Sequence, residues 1–302
     1  MEQIWTKHYE AGVRREINIK EYSSITDILD QSFANFSEKT SFHNMGTNLT
    51  YGELKEKSYK FGQYLQSLGL EKGDRVALMM PNILQYPVAL FGILQAGMIA
   101  VNVNPLYTSR ELEHQLKDSG AKGIVIFENS AHNLEKILSN TEVKHVVVTA
   151  VGDLLKFPKS LLVNFVLKYV KKMIPEWSIK SAVSFKEALS KGDSSKFKKV
   201  ELTHDDIAFL QYTGGTTGVS KGAMLTHKNI IANVLQAKEW IKNAIIDGQE
   251  IVITPLPLYH IFSLTANCLV FSSVGATNIL ITNPRDIKGF VKELSKWNFT
   301  AL

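Results

Sequence analysis

The sequence predicts an α/β protein of mostly parallel sheets covered by helices. Segments with helical apolar spacing alternate with short apolar runs that read as strands, and glycines close three of the helical segments. At 302 residues, 45% hydrophobic and 21% charged, the chain is long enough to bury a large core, as one large unit or about two. LTYGELKEKSYKFGQYLQSLG (49–69) has helical periodicity and stops at Gly69; DRVALMM (74–80) is a short apolar strand; QYPVALFGILQAG (85–97) is a buried helix closed by Gly97. IAVNVN (99–104) is a strand, and SRELEHQLKDSG (109–120) is a helix with a capping-box-like start between Ser109 and Glu113 and a stop at Gly120. KGIVIFE (122–128), VKHVVVTA (143–150) and DDIAFLQYT (205–213) read as strands.

Residues 151–199 break this rhythm. SLLVNFVLKYVKKMI (160–174) is the longest apolar stretch; as a helix it spans about 22 Å, short of the ~30 Å hydrocarbon core of a bilayer. Asn164, Lys168, Lys171 and Lys172 share one narrow stripe, Pro158 and Pro175 bracket the ends, and Lys156 and Lys159 lie just upstream. Two readings stay open for 152–175: a core helix with one wet edge, or an interfacial helix on an anionic membrane. The polar SKGDSSKFKKVEL (190–202) reads as a surface connection, which divides a first α/β subdomain, 1–200, from the start of a second, 201–302.

Lys and Arg number 34 against 29 Asp and Glu, a net +5 with pI near 9.0. That balance favours anionic ligands, but the basic residues are interspersed with acidic ones and form no aromatic-interleaved patch, which argues against nucleic acid. The lone cysteine, Cys268, excludes an internal disulfide framework and a cysteine-based zinc site, and reads as a small buried filler. The amino-terminal residues lack a secretory pattern, so the expected location is cytoplasmic, with peripheral contact on the inner face of the cell membrane if 152–175 is interfacial.

QYTGGTTGVSKGAMLTH (211–227) gathers four glycines, five serine or threonine hydroxyls and one lysine. Backbone N–H groups in such a loop converge on an anion, and Lys221 adds a point charge, so a polyphosphate suits residues 212–222. The spacing excludes a Walker A loop, because Lys221 follows Ser220 and precedes Gly222, and it lacks the G-x-G-x-x-G of a dinucleotide fold. GAMLT (222–226) is strand-like and Thr226 is a good N-cap for the next helix, so the loop reads as the tip of a hairpin.

YTGGTTGVSKG resembles the phosphate-binding signature of the adenylate-forming superfamily, Thr-Ser-Gly-Ser/Thr-Thr-Gly-x-Pro-Lys-Gly, departing from it at Gly214 and Ser220. LTYGELKEKSYKFGQYLQSLGLEKGDRVALMMPN, LQAGMIAVNVNPLYTSRELEHQLKDSGAK and PLPLYHIF resemble three further blocks of the superfamily in the expected order, most like bacterial long-chain fatty-acid:CoA ligases. The resemblance implies a fatty carboxylate activated by ATP with Mg2+ to an acyl-adenylate, then transferred to coenzyme A. It places Thr213, Gly214, Gly215, Thr216, Thr217, Gly218 and Lys221 around the nucleotide, with Gly214 given no side-chain role, Lys221, Thr216 and His260 in the chemistry, and Thr216 near the metal. Tyr259 and His260 mark the junction of nucleotide and acyl sites, and Phe262, Ser263 and Leu264 the acyl wall.

The superfamily continues well beyond a point matching Leu302, so the expectation is an amino-terminal portion, incomplete at the carboxyl end, without the C-terminal catalytic domain and unable to complete the reaction unaided. An unpaired sheet edge there favours association, a homodimer among the forms to test. Two other classes stay in view: a nucleotide- or fatty-acid-binding fragment without turnover, and an adenylating enzyme for another carboxylic acid. The apolar basic segment and the PLYHIF block favour long acyl chains over the latter.

Overall fold

The computed structural model describes residues 4–213 and 220–302. Its strands are β1 (Thr40–Asn44), β2 (Thr47–Thr50), β3 (Arg75–Met79), β4 (Ile99–Asn102), β5 (Gly123–Phe127), β6 (His145–Thr149), β7 (Ala182–Ser184), β8 (Ile207–Thr213), β9 (Lys221–Thr226), β10 (Ile251–Thr254) and β11 (Thr277–Leu280). They form a larger sheet, ordered β7-β6-β5-β3-β4-β8-β9, and a smaller one, β10-β11-β1-β2. All pairs are parallel except the β8–β9 and β1–β2 hairpins.

Composition explains this arrangement. β3 to β6 are almost continuously apolar and buried, as strands covered on both faces must be. Every residue of the helix Gln85–Gln95 is buried, and the helix Tyr51–Ser67 crosses it through glycines. A Cβ at Gly62 would stand 2.8 Å from the Gly92 carbonyl oxygen, and one at Gly92 2.7 Å from that of Ser58, so only glycine permits this approach. The helix Ser109–Ser119 starts one residue earlier than the Ser109–Glu113 pattern suggested. Thr108, in extended backbone, accepts from the Glu111 N–H, while the Glu111 carboxylate accepts from the Thr108 N–H; Gly120, left-handed at φ 58°, closes the other end.

The expected division at residue 200 does not separate the sheets. β4 pairs with β8 and β1 with β11, so each sheet joins strands from both sides of that position. Burial is the reason: Ala208 and Phe209 are fully buried and need a place inside the larger sheet, and Phe42, Val125, Phe209 and Leu280 belong to one apolar cluster.

Residues 152–175 contain the helix Lys159–Phe165, which continues as a wider turn over Val166–Val170 and stops before Lys172, left-handed at φ 49°. Val163 and Leu167 pack against the core. Leu161, Phe165 and Tyr169 are 60%, 55% and 60% exposed, which corrects the reading of a core helix with one wet edge: its wet side is broad and apolar. No helix among the described residues is long and apolar enough to cross a membrane. Cys268 is buried, and burial pushes its thiol well above the usual range.

Candidate active site

The hairpin expected from the sequence is present. Thr213 and Lys221 face each other across β8 and β9, at the end of the pairing register. Ser220 Oγ donates to the Thr213 carbonyl at 2.9 Å, and the Ser220 carbonyl lies 2.9 Å from His114 Nε2. Gly222 is required here, since a Cβ would meet the Tyr212 ring at 2.9 Å. The Tyr212 hydroxyl donates to Asp118 at 2.5 Å; burial, then that carboxylate, pushes its pKa up, so it stays protonated. Gly214, Gly215, Thr216, Thr217 and Gly218 lie outside the described residues.

A second loop is fastened to this hairpin by a buried polar chain that the sequence reading missed. Asn82 Nδ2 donates to the carbonyls of Thr254 (3.0 Å) and Leu256 (2.8 Å), and its Oδ1 accepts from the Leu258 N–H at 2.8 Å. One side chain therefore satisfies three backbone groups of the turn that precedes Tyr259 and His260. The Tyr86 hydroxyl lies 2.6 Å from Asn102 Oδ1 and 2.9 Å from the Leu258 carbonyl. Asn102 Nδ2 donates to Gln211 Oε1 at 3.0 Å, and Gln211 Nε2 donates to the Tyr259 carbonyl at 3.0 Å. β8 thus holds Thr213 at its end and, two residues earlier, the glutamine that ties down Tyr259. The signal was legible as polar residues set in apolar runs: MMPN, QYPVAL, AVNVN and FLQYT.

Tyr259, Asn82 and Arg285 line a cavity of about 250 Å3 where the loops after β3, β4, β10 and β11 meet. These loops leave the carboxyl ends of their strands, where open α/β sheets place ligands. Burial raises the Tyr259 pKa and the Arg285 guanidinium opposes the rise, so the cavity offers one neutral phenol and one cation. His260 caps the short helix Ile261–Ser263: its Nδ1 accepts from the Phe262 N–H at 3.4 Å, and the ring is exposed. Phe262 is 61% exposed. Ser263 is buried, donating to the Leu256 carbonyl at 2.9 Å, and Leu264 is fully inside the core. Among the described residues no three His, Cys, Asp or Glu side chains converge as a metal site.

The family profile described as AMP-binding enzyme matches residues 29–302. A long-chain-fatty-acid–CoA ligase of Escherichia coli O157:H7 is 56% identical over 303 aligned residues, covering 100% of this chain and 54% of that protein. The chain spans about half the length of the curated relatives it matches. Among solved structures, the anthranilate CoA ligase AuaEII in complex with anthranoyl-AMP is similar with a TM-score of 0.77 at 22% identity, over 93% of this chain and 50% of that one. A long-chain-fatty-acid-CoA ligase from Archaeoglobus fulgidus gives 0.74 at 24% identity, over 95% and 53%. At those identities the likeness concerns the fold. With the family profile spanning all but the first 28 residues, the chain belongs to the AMP-binding enzymes.

Proposed function

We propose that this chain carries the nucleotide hairpin and the start of the acyl site of an enzyme that activates long-chain fatty acids. A carboxylate oxygen attacks the α-phosphorus of ATP and pyrophosphate leaves; the coenzyme A thiol then displaces AMP to give acyl-CoA. The observation that carries this reading is the Gln211 bond to Tyr259, which fastens the loop of Tyr259 and His260 to the strand that ends in Thr213, opposite Lys221. The 56% identity to a protein named for this activity supports the substrate class.

In this reading Lys221 faces charge that develops on the departing pyrophosphate, with Thr213, Gly214, Gly215, Thr216, Thr217 and Gly218 completing the cradle. His260 orients the carboxylate beside Tyr259, and Phe262, Ser263 and Leu264 begin the acyl wall. Mg2+ would arrive with the nucleotide and neutralise phosphate charge, with Thr216 the residue that would hold it. Lysines 168, 171 and 172, beside exposed Phe165, Tyr169 and Val170, rest on an anionic lipid surface. A homodimer forms through the sheet edge near the carboxyl end, where Ala301 bridges Val252 of the edge strand β10.

The test is pyrophosphate release from Mg·ATP dependent on a long-chain fatty acid, run on this chain and on the protein of an uninterrupted reading frame. Release in the longer protein establishes the activity; silence in both across several chain lengths removes it, and nucleotide binding without release would leave a binding module.

A further inference from the structure

A cavity of about 790 Å3 lies behind the segment 152–175, and neither the hairpin nor Tyr259, His260 and Phe262 line it. Leu162, Val166 and Leu167 form one side; Phe127 at the end of β5, Leu280 at the end of β11 and Phe290 of the helix Ile287–Leu294 supply others. Its size falls within the roughly 300–1,000 Å3 of small-molecule sites, and its walls are mainly apolar. The helix that borders it is therefore apolar on two sides, one toward the cavity and one, through Leu161, Phe165 and Tyr169, toward solvent.

Two polar groups inside point to an occupant. Asn44 is 1% exposed; its Nδ2 donates to the Leu280 carbonyl at 2.9 Å and to Thr282 Oγ1 at 3.0 Å, while its Oδ1 has no partner among the described residues. Asn129 Nδ2 donates to the Met173 carbonyl at 3.0 Å, tying down the end of the segment, and its Oδ1 is buried and likewise without a partner among the described residues. A buried acceptor left unpaired costs about 1–3 kcal/mol, so both oxygens call for a donor. Lys171 lines the same cavity and brings a cation.

We propose that this cavity is a second binding site for a long-chain fatty acid, taken up from the lipid surface on which residues 152–175 rest. The alkyl chain lies between Val166 and Phe290. The carboxyl group donates its O–H to an asparagine Oδ1 in its acid form, which burial and the Asp286 and Glu293 carboxylates in the lining favour and the Lys171 cation opposes. The inference rests on the fatty-acid reading above for its ligand class. It adds a holding site between membrane and chemistry that adjoins the smaller cavity of Tyr259, the two sharing Pro81, Pro105, Leu106, Ile281, Thr282 and Asn283.

The test is photolabelling of the 302-residue chain with hexadecanoic acid bearing a diazirine at the chain end, supplied in anionic phospholipid vesicles, with the adducts mapped by mass spectrometry. Adducts are expected within 162–173 and 280–293, falling about tenfold in Val166→Trp, which fills the cavity. Leu161→Trp, on the outer face of the same helix, should leave them unchanged and serves as the folding control. Adducts confined to 227–273, or insensitive to Val166→Trp, overturn the proposal. So does equal labelling by a diazirine on a phospholipid acyl chain, which would mark general membrane contact. Pyrophosphate release reports separately on the activity, so loss of one reading is visible without the other.

Discussion

His227 opens the helix that follows the β8–β9 hairpin, and its imidazole is held neutral. It is 1% exposed, and its Nδ1 accepts from the Ile25 N–H at 3.1 Å. Burial pulls its pKa down to about 4; Asp206 and Asp27 oppose this, while Lys72 and His204 add to it. Because the folded pKa lies below the unfolded one, the stabilisation is full above pH ~6.5 and is lost as pH falls toward 4, up to ~3 kcal/mol. Glu128 behaves the opposite way. Burial and Asp153 push its carboxyl up to about 7 against the pull of Lys168, so its contribution is present below pH ~4.5 and lost as pH rises through 7. Urea midpoints should therefore show His227→Gln, which keeps an acceptor for Ile25, flattening the acid limb. Glu128→Gln should stabilise the protein at pH 8 and leave it unchanged at pH 4.5. Unchanged limbs in both variants would remove these two groups from the pH response. In the proposed reaction Lys221 faces the departing pyrophosphate, so Lys221→Ala in the longer protein should slow pyrophosphate release by about 1–3 kcal/mol of transition-state stabilisation, and an unaltered rate would take it out of the mechanism.

Among elements, the turn 254–260 depends most on a single distant side chain. Asn82→Ala strips three hydrogen bonds from its buried backbone and leaves the Thr254, Leu256 and Leu258 groups without that partner. A loss of about 2–4 kcal/mol of stability is expected, together with a fall in kcat for the longer protein as Tyr259 and His260 drift. Asn82→Asp, which keeps only the acceptor for Leu258, should recover part; equal activity in all three proteins would show that the turn holds itself. The sequence discloses such elements unevenly. Long periodic helices and the apolar strands β3 to β6 were readable, because burial on both faces leaves a continuous apolar run. β1, β2, β10 and β11 were not. They are as long as β3 to β6, but β1 finds its parallel partner more than two hundred residues away, a distance that no local period records. The hairpin was readable for a local reason, since loop and flanking strands are contiguous. The tie from Gln211 to Tyr259 was hidden because it joins elements apart in sequence through amides that look incidental in an apolar run.

At the scale of the molecule, one apolar cluster joins both sheets, and that decides how the protein comes apart. Phe42 and Leu280 of the smaller sheet share it with Val125 and Phe209 of the larger, and β8, which enters after residue 200, sits between β4 and β9. A chain cut after position 200 leaves residues 201–302 with β10 and β11 lacking β1, and β8 lacking β4. Those unpaired edges and uncovered apolar faces cost more than so short a piece recovers from its own contacts. Produced alone, 201–302 should show no near-ultraviolet circular dichroism. Mixed with 1–200 it should regain that signal and co-elute as a complex, as two parts of one core do. A folded, monomeric 201–302 would show instead that the polar stretch before it is a true boundary and that the shared cluster is only contact between independent units.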